Sequence, residues 1–211
     1  GVQRATALRT YRNYANLAES YSAIPSRFLA ITHGVSAVGK SHVAMRLVES
    51  LGAIRVRSDV ERKRLFGEQP SQSSGQLQAG IYHQDASAAT YQRLNELAAT
   101  ILQAGFPVVL DATYLKREQR KAASEIANRT GVPFLILDCQ APEAVIISWL
   151  EQRQSENVDP SDATLEVVKG QQASREPLDE EEAAHGKRVN THESASMDQL
   201  IEQIRQRLPG L

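Results

Sequence analysis

From residue 28 onward, short apolar runs alternate with longer stretches in which apolar residues recur every three or four positions. The first pattern has the length of a buried strand and the second that of an amphipathic helix. RFLAITH (27–33) predicts a first strand, followed by a helix from Lys40 to about Leu51. AIRVRS (53–58) predicts a second strand with a short helix from Asp59, and the polar stretch QPSQSSGQLQAG (69–80) reads as a loop. A long helix over about Ala86–Ala104 puts Tyr91, Leu94, Leu97, Ala98, Ile101 and Leu102 on one face and stops at Gly105. PVVLDAT (107–113) is a third strand before a helix over Lys116–Arg129, and PFLILDC (133–139) a fourth before a helix over Glu143–Gln154. The polar SENVDPSD (155–162) leads into a helix from near Asp162, and KRVNT (187–191) is a short last strand. The closing helix is expected to open on the capping box Ser196-x-x-Gln199, with Met197, Leu200, Ile201, Ile204 and Leu208 toward the core.

Apolar strands separated by amphipathic helices imply a parallel sheet covered on both faces. Residues 1–27 stand apart. They read as a polar helix with a stripe of Leu8, Tyr11, Tyr14, Ala15, Ala18 and Tyr21, broken at Ile24-Pro25, and form a linker or docking helix ahead of one domain over 28–211.

Composition narrows the class. The 211 residues are 41% hydrophobic and 23% charged, ordinary for a soluble globular domain. Neither a membrane-length apolar run nor an export signal is present, and a lone Cys139 after an apolar run reads as a strand-end packing residue, so a cytoplasmic location is expected. A formal net charge of −1 gives no global attraction to nucleic acid or membrane.

The chemistry begins between the first strand and its helix. Gly34, Val35, Ser36, Ala37, Val38, Gly39, Lys40 and Ser41 fit G-x-x-x-x-G-K-[ST]. The glycines let the backbone turn its N–H groups inward at a helix N-terminus, where they form a nest for anions. Lys40 then reaches the terminal phosphates of a nucleoside triphosphate, and Ser41 is a Mg²⁺ ligand. His42 is taken with the loop as nucleotide-binding, although His33 and His42 both suit packing or solvent better than catalysis. ATP and Mg²⁺ are the expected cofactors, and the fold is then an α/β P-loop NTPase of nucleoside-kinase-like type, a three-layer sandwich on a five-stranded parallel sheet.

Companion residues separate the P-loop classes. No N-K-x-D for reading guanine occurs. In the third strand Asp111 is followed by Ala112, so it can hold the Mg²⁺ shell but has no adjacent glutamate to activate water. That favours transfer to an acceptor over hydrolysis. At the end of the second strand, Asp59 is placed to orient and deprotonate an acceptor hydroxyl, or else caps a helix. Arg62, three residues on, shares its helical face and can hold the acceptor, or else is solvated. Arg153, before a polar segment, is a candidate lid arginine over the γ-phosphate; its alternative is a helix-end arginine favoured by the dipole. Thr113, Arg117 and Arg120, after the Asp111 strand, are further acceptor-binding candidates.

The blocks GVSAVGKS, VRSDVERKRLFG, IYHQDASAATYQRLNELAATILQAGFPVVLDATYLKREQR and VPFLILDCQAP…VIISWLEQR together resemble the P-loop kinase-like ATP-binding domain that follows an aminoglycoside-phosphotransferase-like domain in some bacterial proteins. That domain is similar to polynucleotide 5′-kinases, zeta toxins and gluconate kinases. The resemblance covers about residues 28–195. It implies Lys40 and Ser41 for ATP and Mg²⁺, Asp59 and Arg62 as base and acceptor-side arginine of an S-D-x-x-R motif, Asp111 as the second acid and Arg153 as the lid arginine. It also implies that residues 1–27, in a chain opening on Gly1, would be the tail of an upstream domain. Residues 154–174 contain no arginine and carry Glu156, Asp159 and Asp162, which disfavours a nucleic-acid acceptor. The expected acceptor is a small molecule, with a polynucleotide 5′-hydroxyl kinase and a regulatory nucleotide-binding module as the alternatives.

Overall fold

The computed structural model describes residues 6–15, 26–66, 84–156 and 164–208, the side chains of 84–85 and 153–156 excepted. Helix α1 (6–15) is exposed throughout, so Leu8, Tyr11 and Tyr14 of the expected stripe face solvent. Then follow β1 (Leu29–His33), α2 (Lys40–Leu51), β2 (Ile54–Arg57), α3 (Ser58–Leu65), α4 (Gln84–Gln103), β3 (Val108–Asp111) and α5 (Arg117–Thr130). β4 (Phe134–Gln140), α6 (Glu143–Glu156), α7 (Leu165–Ser174), α8 (Glu180–His185), β5 (Gly186–Asn190) and α9 (Ser194–Arg207) complete the order. The expected loop at 69–80 lies outside the described residues.

The five strands are all parallel, in the order β2-β3-β1-β4-β5. β1 is central, and all five of its residues are buried. Alternation along it feeds two cores. Ala30 joins Val43, Ala44 and Leu47 of α2 and Leu200, Ile201 and Ile204 of α9. Leu29 and Ile31 join Leu94, Ala98 and Leu102 of α4 and Ala123, Ile126 and Ala127 of α5. The expected face of α4 is thus the buried one.

Past the last β1–β3 pair, Ile31 with Leu110, a side chain takes over from the ladder. The Thr32 hydroxyl lies 2.7 Å from the Ala112 carbonyl and accepts the Ala112 N–H at 3.1 Å. β1 therefore stays tied to the chain leaving β3, which keeps residues after Asp111 beside those after His33.

The expected start of the last helix needs correcting. Ser196 does not cap it; its hydroxyl accepts the Asn190 N–H at 2.9 Å, fastening the helix to β5, and α9 begins two residues earlier. A second difference is α8, which has a capping box of its own. The Asp179 carboxylate accepts the Glu182 N–H (2.8 Å) and Glu182 accepts the Asp179 N–H (3.1 Å).

That short helix exists to hold an arginine. Arg120, expected on the acceptor side, is 1% exposed. Its guanidinium donates to both carboxylate oxygens of Glu182 (2.7 and 2.8 Å) and to the carbonyls of Tyr114, Glu176 and Pro177 (3.1, 3.2 and 3.3 Å). Five bonds in a dry setting use the whole fork, so Arg120 is a structural clamp between α5, the end of β3 and α8. Arg117 is likewise drawn to this segment, its side chain to Asp179 and its backbone N–H to Glu176 (2.7 Å). Breaking a buried pair strands a charge, so Arg120→Met should cost about 3–5 kcal/mol of unfolding free energy in a urea titration. Arg117→Ala, on an exposed pair, should cost under about 1 kcal/mol.

Candidate active site

The loop after β1 is shaped by what lies behind it. Gly34 (φ 140°), Ala37 (φ 61°) and Gly39 (φ 87°) are left-handed or beyond, so the chain wraps tightly before α2. A Cβ on Gly34 would fall 2.8 Å from the Cys139 carbonyl. One on Gly39 would fall 2.8 Å from Thr191 Cβ and 3.3 Å from the Trp149 ring. Thr191, just past β5, puts its hydroxyl 2.7 Å from the Val38 carbonyl and 3.1 Å from that of Gln140, pinning the loop to the sheet. Val35, Ala37 and Val38 are buried, whereas His42 is exposed in the first turn of α2. Cys139 is buried, and burial pushes its thiol up to about 12, so it packs behind Gly34 as a thiol rather than a nucleophile.

In front of the loop the charged residues gather. Lys40 Nζ donates to the Val35 carbonyl at 2.6 Å, crossing the loop mouth. Ser41 Oγ donates to Asp111 Oδ2 at 2.9 Å, so the expected metal-side pair does meet. A hydroxyl beside a carboxylate is a hard-oxygen donor set, and it fits Mg²⁺ held mainly by phosphates and water. The same Asp111 oxygen accepts Nε (3.0 Å) and Nη2 (2.5 Å) of Arg55. Two residues along the same strand, Arg57 donates to Asp59 Oδ1 (3.1 Å) and Oδ2 (2.6 Å), while the Val60 N–H adds a bond to Oδ1 (2.9 Å). Register pairs Arg57 with Asp111, and Asp59 follows two residues past the end of that neighbouring strand, in the first turn of α3.

Arg62 is half-buried on α3, and its charge acts on the Tyr91 hydroxyl. That hydroxyl contacts Thr113 Oγ1 (3.0 Å) and accepts the Tyr114 N–H (3.2 Å). Arg62 and Thr113, both expected on the acceptor side, are thus brought together around Tyr91, a residue the sequence had not singled out for the site. Burial raises the Tyr91 pKa, keeping it a neutral hydroxyl. Arg153 lies on α6, its side chain outside the described residues.

Two contacts bring α7 onto the loop. Gln171 Oε1 accepts the Ser36 N–H at 2.6 Å. Arg175, the residue closing α7, donates to Asp138 Oδ1 (2.9 Å) and to His33 Nε2 (3.1 Å). His33 is fully buried, and its Nδ1 lies 3.0 Å from the Tyr114 carbonyl. A ring that donates from Nδ1 and accepts at Nε2 must be neutral. Burial, and then the Arg175 charge, lower its pKa to about 4, against the Tyr114 bond and Asp138.

Arg55, Arg57, Gln171, Arg175 and Thr191 were not anticipated as site residues. For the first two a signal existed: Ile54-Arg55-Val56-Arg57 alternates, which puts both arginines on one face of a strand. The others come from far along the chain and carry no local mark.

The fold and loop define a P-loop NTPase of kinase-like architecture. Residues 29–178 match the AAA domain family model AAA_33, and the chain belongs to that family. Uncharacterized proteins of Mycobacterium tuberculosis and Mycobacterium bovis are 30% identical over 146 residues. The match takes in 66% of this chain and 28% of each relative, so the chain spans under a third of the length of these curated relatives. Among solved structures, a sugar kinase from Janibacter sp. superposes with TM-score 0.64 at 20% identity, covering 88% of this chain and 97% of that one. A gluconokinase from Sinorhizobium meliloti gives 0.57 at 19% identity, covering 87% and 98%. The Mycobacterium tuberculosis APS kinase, solved with AMPPNP and APS, gives 0.59 at 17% identity, covering 86% and 97%. These likenesses are of fold. Among the described residues no helix is long and apolar enough to cross a membrane.

The neutral His33 makes stability depend on pH. Unfolded, its imidazole protonates near the ordinary 6.5; folded, only near 4. The unfolded state therefore gains the proton first, and stability is full above about pH 6.5 and falls as pH drops toward 4, by about 3 kcal/mol in all. Urea titrations at pH 7, 6 and 5 should show this slope, and His33→Gln should flatten it.

Proposed function

We propose that this chain is an ATP- and Mg²⁺-dependent kinase that transfers the γ-phosphate to a hydroxyl of a small-molecule acceptor. The observation that carries this reading is the meeting of Ser41 and Asp111 at the loop mouth, with Asp59 in the first turn of α3, two residues past the Arg57 that pairs with Asp111. Ser41 and Asp111 would hold Mg²⁺, which supplies charge neutralisation of the phosphates when bound. Lys40 would turn from the Val35 carbonyl to the phosphates. Asp59 would accept the acceptor's proton, its orientation held by Arg57 and the Val60 N–H. A phosphoryl-transfer transition state is loose and asks mainly for positioning and charge, so a carboxylate oriented by an arginine suits the task. The residue after Asp111 is a buried alanine, which offers no base to activate water. Arg62, Thr113 and Tyr91 would line the acceptor side, and Arg153 would come from the lid.

An unpaired, buried Cys139 supports a reducing, cytoplasmic setting. The greater length of the mycobacterial relatives supports attachment to a further domain, for which the aminoglycoside-phosphotransferase-like type comes from the sequence resemblance.

Asp59→Asn tests the base. Transfer, followed by labelled phosphate on an acceptor found in a metabolite screen, should fall about 10²–10⁴-fold. ATP binding, followed by fluorescence of the single tryptophan Trp149 beside Gly39, should stay close to wild type. Equal loss of both would remove the assignment. An oligonucleotide 5′-hydroxyl belongs in the same screen, because its labelling would replace the small-molecule acceptor. Tight ATP binding with no acceptor at all would leave a regulatory module.

A further inference from the structure

Strand β2 lies at the sheet edge and has an uneven burial pattern: Val56 is buried, while Arg55 and Arg57 are half-buried. Its arginines share the face on which Asp111 stands. The Arg55 side chain is 15% exposed and that of Asp111 5%, so the pair is largely shielded from water and its Coulomb term is not screened away. Both Arg55 contacts fall on Oδ2, the oxygen that Ser41 also uses. Oδ1 carries none of these bonds.

The arrangement constrains how a metal is held. Mg²⁺ demands six oxygens and keeps several waters. Among the described residues no group of three or more His, Cys, Asp or Glu side chains is placed to bind a metal. The protein's own contribution is one carboxylate and one hydroxyl, and a guanidinium cancels the charge of the carboxylate. We infer that Arg55 is a positioning residue that sets the charge of the metal site. It holds Asp111 by Oδ2 and keeps the site too weakly negative to bind a divalent cation before the nucleotide's phosphates arrive. The inference rests on the reading of Ser41 and Asp111 as the metal side. It goes beyond that reading in making metal entry conditional on nucleotide.

Arg57 does not substitute for Arg55, because its guanidinium is spent on both oxygens of Asp59. Two arginines on one strand face therefore serve two carboxylates. Only the Arg55 pair includes the P-loop hydroxyl.

The test uses Mn²⁺ as the probe and the nucleotide-free full chain, with free Mn²⁺ read by electron paramagnetic resonance. Wild type should bind Mn²⁺ weakly. Arg55→Met should bind it at least about tenfold more tightly, a conservative figure for removing a unit charge a few ångströms from a dication. Arg55→Lys, which keeps the charge, should stay near wild type. Adding Asp111→Asn to Arg55→Met should abolish the gain. If Arg55→Met does not fold, Arg55→Gln, which can still hydrogen-bond Asp111 without a charge, carries the same expectation. Unchanged or weaker Mn²⁺ binding in the folded neutral variant would overturn the inference, as would a gain that survives Asp111→Asn. Failure of the chain to bind ATP would remove the kinase reading, while the Mn²⁺ comparison would still decide the role of Arg55.

Discussion

A neutral imidazole holds the C-terminal edge of the sheet together. His33 ends β1, immediately precedes the phosphate loop, and has no access to water. Its two nitrogens face opposite demands, a carbonyl on one side and a guanidinium on the other. Only the Nδ1–H tautomer meets both. From it the bonds run outward: the Tyr114 carbonyl also takes Arg120, which grips Glu182, and Arg175 continues to Asp138 on β4. A loop that must wrap around phosphate needs fixed ends, and this network fixes the first of them. Thr191 does the same at the loop's middle through the Val38 carbonyl.

Charge is arranged around the loop in pairs rather than as a basic patch. Asp111 is answered by Arg55, Asp59 by Arg57 and Asp138 by Arg175. Each carboxylate is thereby oriented and paired with a cation, as a charge shielded from water requires. Arg120 and Arg117 belong to a different economy of charge, because the segment carrying Glu176, Asp179 and Glu182 closes over them.

The order of strands and helices was legible because burial imposes periodicity. The sequence-based faces of α4 and α9 are the faces that pack, since a helix between sheet and solvent must be apolar on one side. The phosphate loop was legible because backbone curvature demands glycine at particular steps. Side-chain destinations were harder to read. Arg120 and Asp59 both follow a strand that ends near the loop, yet one is buried among carbonyls and the other pairs with Arg57 at the end of β2. Ser196 had the spacing of a cap, but its hydroxyl found a better-placed donor in Asn190.

The sequence alone thus determined the class of fold and the position of the phosphate loop, with Lys40 and Ser41 opening the helix after it. These follow from local rules: periodic burial, left-handed glycines and a hydroxyl at a helix start. Only the tertiary structure decided which cations meet which anions. Arg55 meets Asp111 across a strand pair, and Gln171 and Arg175 meet Ser36 and His33 across more than a hundred residues of chain. Such pairings depend on register and on the order of strands in the sheet, and a one-dimensional pattern holds no distance between residues that far apart.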